Sequence, residues 1–509
     1  MPTLESGRVG PTRVQTRSSV RGPPELTYAR TDNRPGGWNA PGRGTGKEPL
    51  RKILAFVVVG LAIAAAVYGG DYGRAADPEL LHFVSRPDLT PPMVTIDVTS
   101  KKVGRGYIFI APKKIEPEGP LIVDNRGRPV WFHPQTQGGA TDFRVQRYRG
   151  RKVLTWWEGH SENGIGDGHY VIYNRAYRRI AVLNAGNRLA GDEHEFTITP
   201  RNTALITYYK QRGDTWDSGF QELAIPSGRV LFQWSALAHV PLSESYAESK
   251  SGQLFDYFHI NSVALGPDGN YLISGRNTHA LYDIKRRTGA IAWRLGGKQS
   301  DFSMRPGTTF NWQHDARWRS RSTISLFDNG ANPVVEKESR VLFLRVDLRG
   351  RKVSLVHSFV HPEHLLSRSQ GNVQALGNGD TFVGWGQNPW FTEFDAGGRV
   401  VFDGHFAKDA DSYRAYRLDW HGRPDDRPAI AARKSGGRVT IYASWNGATD
   451  VTRWQVLAGR SVGTLTAVRT VRRTGFETRI GLRSGARLFA VRAMRARSAA
   501  VTSAAVAAS

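Results

Sequence analysis

The sequence predicts an all-β fold: a six-bladed β-propeller, preceded by a transmembrane helix and followed by a small sandwich of the immunoglobulin or fibronectin III kind. Three observations carry that expectation. Text of the pattern apolar–turn–apolar returns at a period of roughly 40 to 55 residues between 101 and 407. Each copy alternates with period two and turns at Gly, Asp or Asn, and no helical periodicity separates the copies. One uninterrupted apolar run, Ile53 to Tyr68, stands apart from this pattern.

Residues 1–52 are rich in Gly, Pro, Arg, Ser and Thr without apolar periodicity, and read as a disordered basic cytoplasmic tail. GRGTGK (Gly42 to Lys47) superficially suggests a phosphate loop but lacks the spacing, the following Ser/Thr and the preceding strand. Residues 53–70 form the anchor, short for a transmembrane helix, with Arg51 and Lys52 before it and Gly69, Gly70 and Asp71 after. Basic residues on the N-terminal side place that side in the cytoplasm, making the chain a single-pass cell-membrane protein with the remainder extracellular. A cleavable signal peptide is the rival reading, on the small residues Ala64, Ala65 and Ala66; the long leader favours an uncleaved anchor. Residues 71–100 read as a linker.

The propeller spans 101–410. Six hairpins can be placed, at 119–134, 169–184, 221–234, 279–296, 341–359 and 390–406, most with a basic residue just after the turn glycine. Strands at this spacing with no intervening helix imply repeated four-stranded sheets. A β-solenoid or a pair of sandwiches is the competing architecture. A polar, Pro-containing linker at 411–435 leads to alternating strands with Trp445 and Trp454 at 436–500, the sandwich, and a loose Ala/Ser tail at 501–509.

The net charge is +25, but it is unevenly placed: the first 52 residues carry an excess of six basic groups and the stretch from Arg427 onward an excess of 13. A basic tail beside a membrane span is a topology signal, so the reading is no nucleic acid; a cell-envelope polymer or membrane surface is the better partner for the C-terminal charge. No cysteine occurs, which excludes disulfides, thiolate metal sites and cysteine nucleophiles.

Each hairpin is preceded by a strand whose text is comparable from copy to copy: DFRVQRY (142–148), EHEFTIT (193–199), FHINSVA (258–264), QHDARWR (313–319) and GNVQALG (371–377). Three copies carry histidine at the second position, His194, His259 and His314, and the fifth carries Asn372. In a propeller the first strand of every blade lines the central channel, so equivalent positions meet around the axis. Asn261 shares a face with His259, two residues away, and Arg276, ending the next strand, supplies a permanent charge suited to a multi-oxygen anion. Phe258, Trp312, Trp385, Trp390 and Tyr208 are candidate walls of a flat pocket. Three histidines also suit zinc, although Glu193 and Glu195 flank rather than face them. ENGIGDGH (162–169) and DNGAN (328–332) carry calcium-type oxygens without a full ligand ladder.

The run EHEFTIT, DYFHINSVALGPDGNYLISGRNT, WRLGG, FNWQHDARW, LFDNGAN and QGNVQALGNGDTFVGWG resembles the arylsulfotransferase family, in its branch from actinobacteria and filamentous fungi. The resemblance extends from about 105 to YRAYRLDWHGRP (413–424). It implies a six-bladed propeller that moves a sulfuryl group from an aryl sulfate ester to a phenolic acceptor without a nucleotide sulfate donor, metal or other cofactor. It implies His314 as the nucleophile that becomes sulfohistidine, with His259, His194 and Arg276 catalytic beside it. Asn261, Asn372, Trp312 and Trp385 are the substrate-binding candidates. The chain lacks the N-terminal β-domain and cysteine pair of the enterobacterial branch and adds a C-terminal domain. Two other readings stay open: a non-catalytic propeller binding an envelope glycan or protein partner, and a metal-dependent hydrolase on the three histidines.

Overall fold

The computed structural model describes residues 79–496 and 500–509, which belong to one compact unit, Ala76–Ser509. The tail and the anchor at 53–70 lie outside the described residues. Among the described residues no helix is long and apolar enough to cross a membrane.

Six sheets of four or five strands, antiparallel but for the two-residue strand Ser303–Met304, follow one another along the chain. All six expected hairpins are present as the last two long strands of a sheet, for example Leu121–Val123 with Pro129–Phe132 and Trp390–Phe394 with Val400–His405. Four of the six turns are tied off by an Asx side chain, from Asp124, Asn174, Asp347 and Asp395. Asp124 Oδ1 accepts from the amides of Arg126 and Arg128 at 2.9 and 3.1 Å, and Asp395 Oδ1 from Gly397 and Arg399, both at 3.0 Å. The turn then needs a left-handed residue, supplied by Gly127 (φ 72°) and Gly398 (φ 82°). The basic residue that follows folds back onto the same acid, Arg128 onto Asp124 and Arg399 onto Asp395.

The five expected first strands open their sheets at Gly139–Tyr148, Phe196–Ile198, Ile260–Leu265, His314–Trp318 and Asn372–Ala375. Second and third strands are buried on both faces, as in YLISG (Tyr271–Gly275), whereas fourth strands expose residues such as Ile180, Val182, Leu231 and Leu355. A near-continuous apolar run inside and an alternating one outside is what sheets stacked face to face require.

Each pair of consecutive sheets shares one hydrophobic cluster. Trp131 packs with Phe143 and Trp156, Tyr170 with Phe196, and Phe220 with Tyr271. Leu281, Trp293 and Leu342 share the next cluster, and Phe327 and Trp385 the one after. A further cluster joins Phe382, Phe391 and Phe402 of the last sheet to Ile108, Leu121 and Phe132 of the first. The two ends of the six-sheet run meet there as well: Tyr416–Leu418 pairs with Tyr107–Ile110, and Thr95–Thr99 pairs with Val400–His405. Both segments were expected as linker, and their short, charged text hides strands that find partners only at long range.

Beyond 428, strands Ala429–Ser435, Arg438–Ser444 and Glu477–Arg483 form one sheet and Thr466–Arg472, Val451–Gly459 and Leu488–Arg495 another. They share a core of Val439, Ile441, Trp454, Ile480, Phe489 and Val491. The end of the chain, expected to be loose, adds Val501–Thr502 and Val506–Ala507 to the second sheet. Asn446 clamps the Phe132 backbone at 3.0 and 2.8 Å, and Gly447 N–H donates to Val130 O at 2.8 Å, fixing these sheets against the first.

Candidate active site

Where first strands from several sheets converge lies a buried ion network. Arg414, fully buried, donates to Asp142 Oδ1 at 3.0 Å, to Glu195 Oε2 and to Asn261 O, both at 3.3 Å, and stands 3.8 Å from Asp315 Oδ1. Arg144 and Arg317 also pair with Glu195. Burial opposes the Glu195 charge, but three guanidiniums overcome it and hold its carboxyl far below the ordinary value. Three cations face three carboxylates, so the network closes neutral and forms a floor.

This floor corrects the repeat register. His194 and His314 each stand one residue before an acid that turns to Arg414, whereas Asn261, on the same guanidinium, stands two residues after His259. His259 is therefore one position out of step. Its left-handed backbone, φ 53°, turns it back to the others. Trp312 (φ 56°) and Asp315 (φ 53°) are strained alike, in keeping with bulges at Ile260/Ser262 and His314/Arg317 that re-aim these strands.

Above the floor lies a cavity of ≈ 410 Å³ whose wall includes His194, His259, His314, Arg276, Gln370 and Tyr413. The His194 and His259 rings meet edge to face at 4.8 Å. Each histidine is oriented through Nδ1. His314 Nδ1–H donates to Asn329 Oδ1 at 2.7 Å, and Asn329 is itself fixed by donating to Ser367 O and Gln370 O, both at 3.0 Å. The proton thus sits on Nδ1, and His314 Nε2 accepts only a long bond, 3.2 Å, from the Gln370 amide. His194 Nδ1 faces Asp192 Oδ2 at 2.7 Å, and His259 Nδ1 faces Asp256 Oδ2.

Their electrostatics diverge. Burial pushes His314 well below the ordinary imidazole value and the Arg276 charge pushes the same way, so it is neutral. Burial likewise keeps His259 low, outweighing Asp256. Burial would lower His194 too, but the Asp192 carboxylate overrides it and raises the imidazole. The cavity therefore holds a nucleophile-grade imidazole, a base and an acid.

Arg276 has no carboxylate partner among the described residues; it donates to Asn277 Oδ1 at 2.8 Å and Arg368 O at 3.1 Å. Burial brings it down to about 10, still charged at neutral pH. Its guanidinium lies 4.9 Å from the Trp312 ring, which meets His279 at 4.3 Å, which stacks on Tyr246 at 4.1 Å. A half-buried cation without a carboxylate partner, held by an aromatic stack, is a receptor for an anion. Among the described residues no three His, Asp or Glu are disposed to hold a metal ion.

The model of the family described as Arylsulfotransferase (ASST) matches residues 144–407, just over half of the chain, and its span contains all three histidines and Arg276. The chain belongs to the arylsulfotransferase family.

No curated protein matches this family member. Among solved structures it is similar to a protein of unknown function from Bacteroides caccae (12% identity, TM-score 0.39, covering 61% of this chain and 97% of that one). It is also similar to a catalytically inactive virginiamycin B lyase from Staphylococcus aureus with quinupristin (8%, TM-score 0.33, 70% and 96%). Likenesses this remote bear on neither mechanism nor substrate.

Of the family residues expected at the site, His314, His259, His194 and Arg276 line the cavity. Trp312 stands behind Arg276. Asn261 is fully buried, its Nδ2 donating to Gln313 O at 2.7 Å. Asn372 and Trp385 are not at the cavity. Asn372 clamps the Ala415 backbone through two bonds of 2.9 Å, and Trp385 is core, donating to Thr392 Oγ1. Asp328, in the suspected calcium text, pairs with Arg340, and Asn329 next to it serves His314. Asp192, Asp256, Asn329, Gln370 and Tyr413 escaped the sequence reading because none falls on the repeated register.

Proposed function

We propose that this chain transfers a sulfuryl group from an aryl sulfate ester to a phenolic acceptor by a ping-pong route through sulfohistidine at His314. The observation that carries the reading is a neutral His314, its Nε2 turned to the cavity, beside the unpaired guanidinium of Arg276. In the first half, the Nε2 lone pair displaces its long bond to the Gln370 amide and attacks sulfur. The S–O bond to the aryl group breaks, and its electron pair leaves as phenolate, which takes the proton of His194. Arg276 holds the sulfuryl oxygens, and Asn329 keeps the Nδ1 proton of the resulting sulfo-imidazolium. In the second half, the acceptor hydroxyl gives its proton to His194 or the neutral His259 and attacks sulfur. The S–N bond breaks and its electrons return to His314. Such a loose displacement needs positioning and charge rather than a metal.

The same proposal reads the six sheets, with their cyclic succession of shared clusters, as the blades of one propeller, and the two sheets beyond 428 as an appended sandwich. It places the chain in the actinobacterial and fungal branch, held in the cell membrane by the run at 53–70 with the catalytic part outside. A purely binding propeller would favour a site closed by side chains, and the open cavity argues against it. The test uses the full-length chain with a chromogenic aryl sulfate and phenol. Phenol-dependent, chelator-insensitive chromophore release, lost in His314→Asn, is expected; release by that variant at the parent rate would overturn the reading.

A further inference from the structure

A second cleft, ≈ 850 Å³, lies between the first sheet and the C-terminal sheets, away from the histidines. One wall is the turn Asp124 to Val130; the other runs from Ala448 to Thr452 and from Arg472 to Gly475. Four arginines line it: Arg126, Arg128, Arg472 and Arg473. Its one acid, Asp124, is engaged by Arg128 through bonds of 2.9 and 2.6 Å. Arg126, Arg472 and Arg473 have no carboxylate partner among the described residues. Arg473 is held in place by two backbone carbonyls, Gly475 O at 2.8 Å and Ala448 O at 2.6 Å. Burial lowers its affinity for a proton, and Arg128 adds to that. A like charge stands directly across the strand pair from Arg472, at Arg453, an arrangement that costs stability unless an anion lies between.

The cleft opens onto a surface of one chemistry. Residues 436–509 hold twelve arginines, no lysine and two acids, Asp450 and Glu477. Both acids are engaged, Asp450 by Arg495 and Glu477 by the hydroxyl and amide of Ser85. Guanidinium, with its planar fork of donors, is the cation that pairs with tetrahedral oxyanions through two parallel bonds. Basic positions continue beyond the cleft: Arg469 leaves the opposite face of the strand Thr466–Arg472 from Arg472 and donates to Gly481 O, and Arg453 and Arg479 are exposed as well. Arginines spread this far beyond one pocket fit an anion repeated along a chain better than a single small oxyanion. The strand carries no aromatic, and the cleft's lining has one, Tyr107, half-buried; a strand of unpaired bases would require a row of exposed rings.

We propose that this cleft binds the sulfate or phosphate groups of an anionic glycan polymer. The proposal is independent of sulfuryl transfer, because it is read by binding alone. The experiment measures affinity of the full-length chain for heparin and for a glycerol-phosphate polymer across a salt series. It compares Arg126→Gln/Arg472→Gln with Arg321→Gln/Arg349→Gln, which removes the same charge from exposed turns elsewhere. The cleft variant is expected to bind at least ~10-fold more weakly, with the slope of log K against log salt reduced by about two, and the control to bind as the parent does. The polymer that binds more tightly identifies the ester. Equal losses in both variants, no binding to either polymer, or tighter binding to duplex DNA than to both would overturn it.

Discussion

Replacing Asp192 by Asn tests the assignment of His194 as the acid that protonates the departing phenolate. Every bond to the Asp192 carboxylate comes from a donor: His194 Nδ1 at 2.7 Å, Thr207 Oγ1 at 2.8 Å, the His194 amide at 3.2 Å and the Gly166 amide at 2.9 Å. An amide can satisfy only one side, leaving a donor–donor clash that costs about 1–3 kcal/mol of stability. The charge matters more for catalysis. With the carboxylate gone, burial is left to dominate and His194 falls below the ordinary imidazole value, so it arrives unprotonated at neutral pH. Loss of general-acid help should lower kcat/KM about 10²-fold, equivalent to about 2.7 kcal/mol, for an aryl sulfate whose phenol is a poor leaving group. For a nitrophenyl sulfate, whose phenolate leaves without a proton, the loss should be far smaller. The assay is initial rates over a series of aryl sulfates, plotted against leaving-phenol pKa at a temperature below the variant's Tm. The parent's alkaline limb, which lies above the ordinary imidazole value because His194 is raised, should move to lower pH. Equal losses across the series with an unmoved limb would refute the role.

Three further outcomes follow from the same geometry. Arg276→Gln should lower kcat/KM by about 10²–10³-fold through loss of its grip on the sulfuryl oxygens, with Arg276→Lys intermediate, as steady-state kinetics would show. His279→Ala should release the stack behind Trp312 and raise KM several-fold while leaving the pH profile unchanged, since His279 is pushed down to about 4 and does not titrate in the working range. Glu195→Gln, which leaves three guanidiniums facing only the carboxylates of Asp142 and Asp315, should cost about 3–5 kcal/mol in chemical denaturation.

Much of the fold was legible because its turns are chemical. An Asx residue, a left-handed glycine and a returning arginine mark hairpins such as Asp124–Arg128 and Asp395–Arg399 whatever surrounds them. The strands that join the last sheet to the first, Thr95–Thr99 and Tyr416–Leu418, were not legible, since nothing local tells a short strand from a linker when its partner is some 300 residues away. The three histidines were legible as a group. The one-residue offset of His259 was not, because it rests on a left-handed backbone that carries no glycine signal. Asp192, Asp256 and Asn329 sit two, three and fifteen residues from the rings they orient, so only folding reveals the pairing. Asn372 shared the histidines' register but spends both ends of its amide on Ala415, which the alignment of repeats could not reveal.

The most direct measurement of the central claim is to mix the full-length chain with an aryl sulfate in the absence of acceptor, quench, and map the modified peptide by mass spectrometry under conditions that spare N–S bonds. The account predicts a stoichiometric burst of phenol and one SO₃ on His314 Nε2, discharged when phenol is added. A burst with the group on another residue, or phenol release with no covalent enzyme at any time, would contradict it.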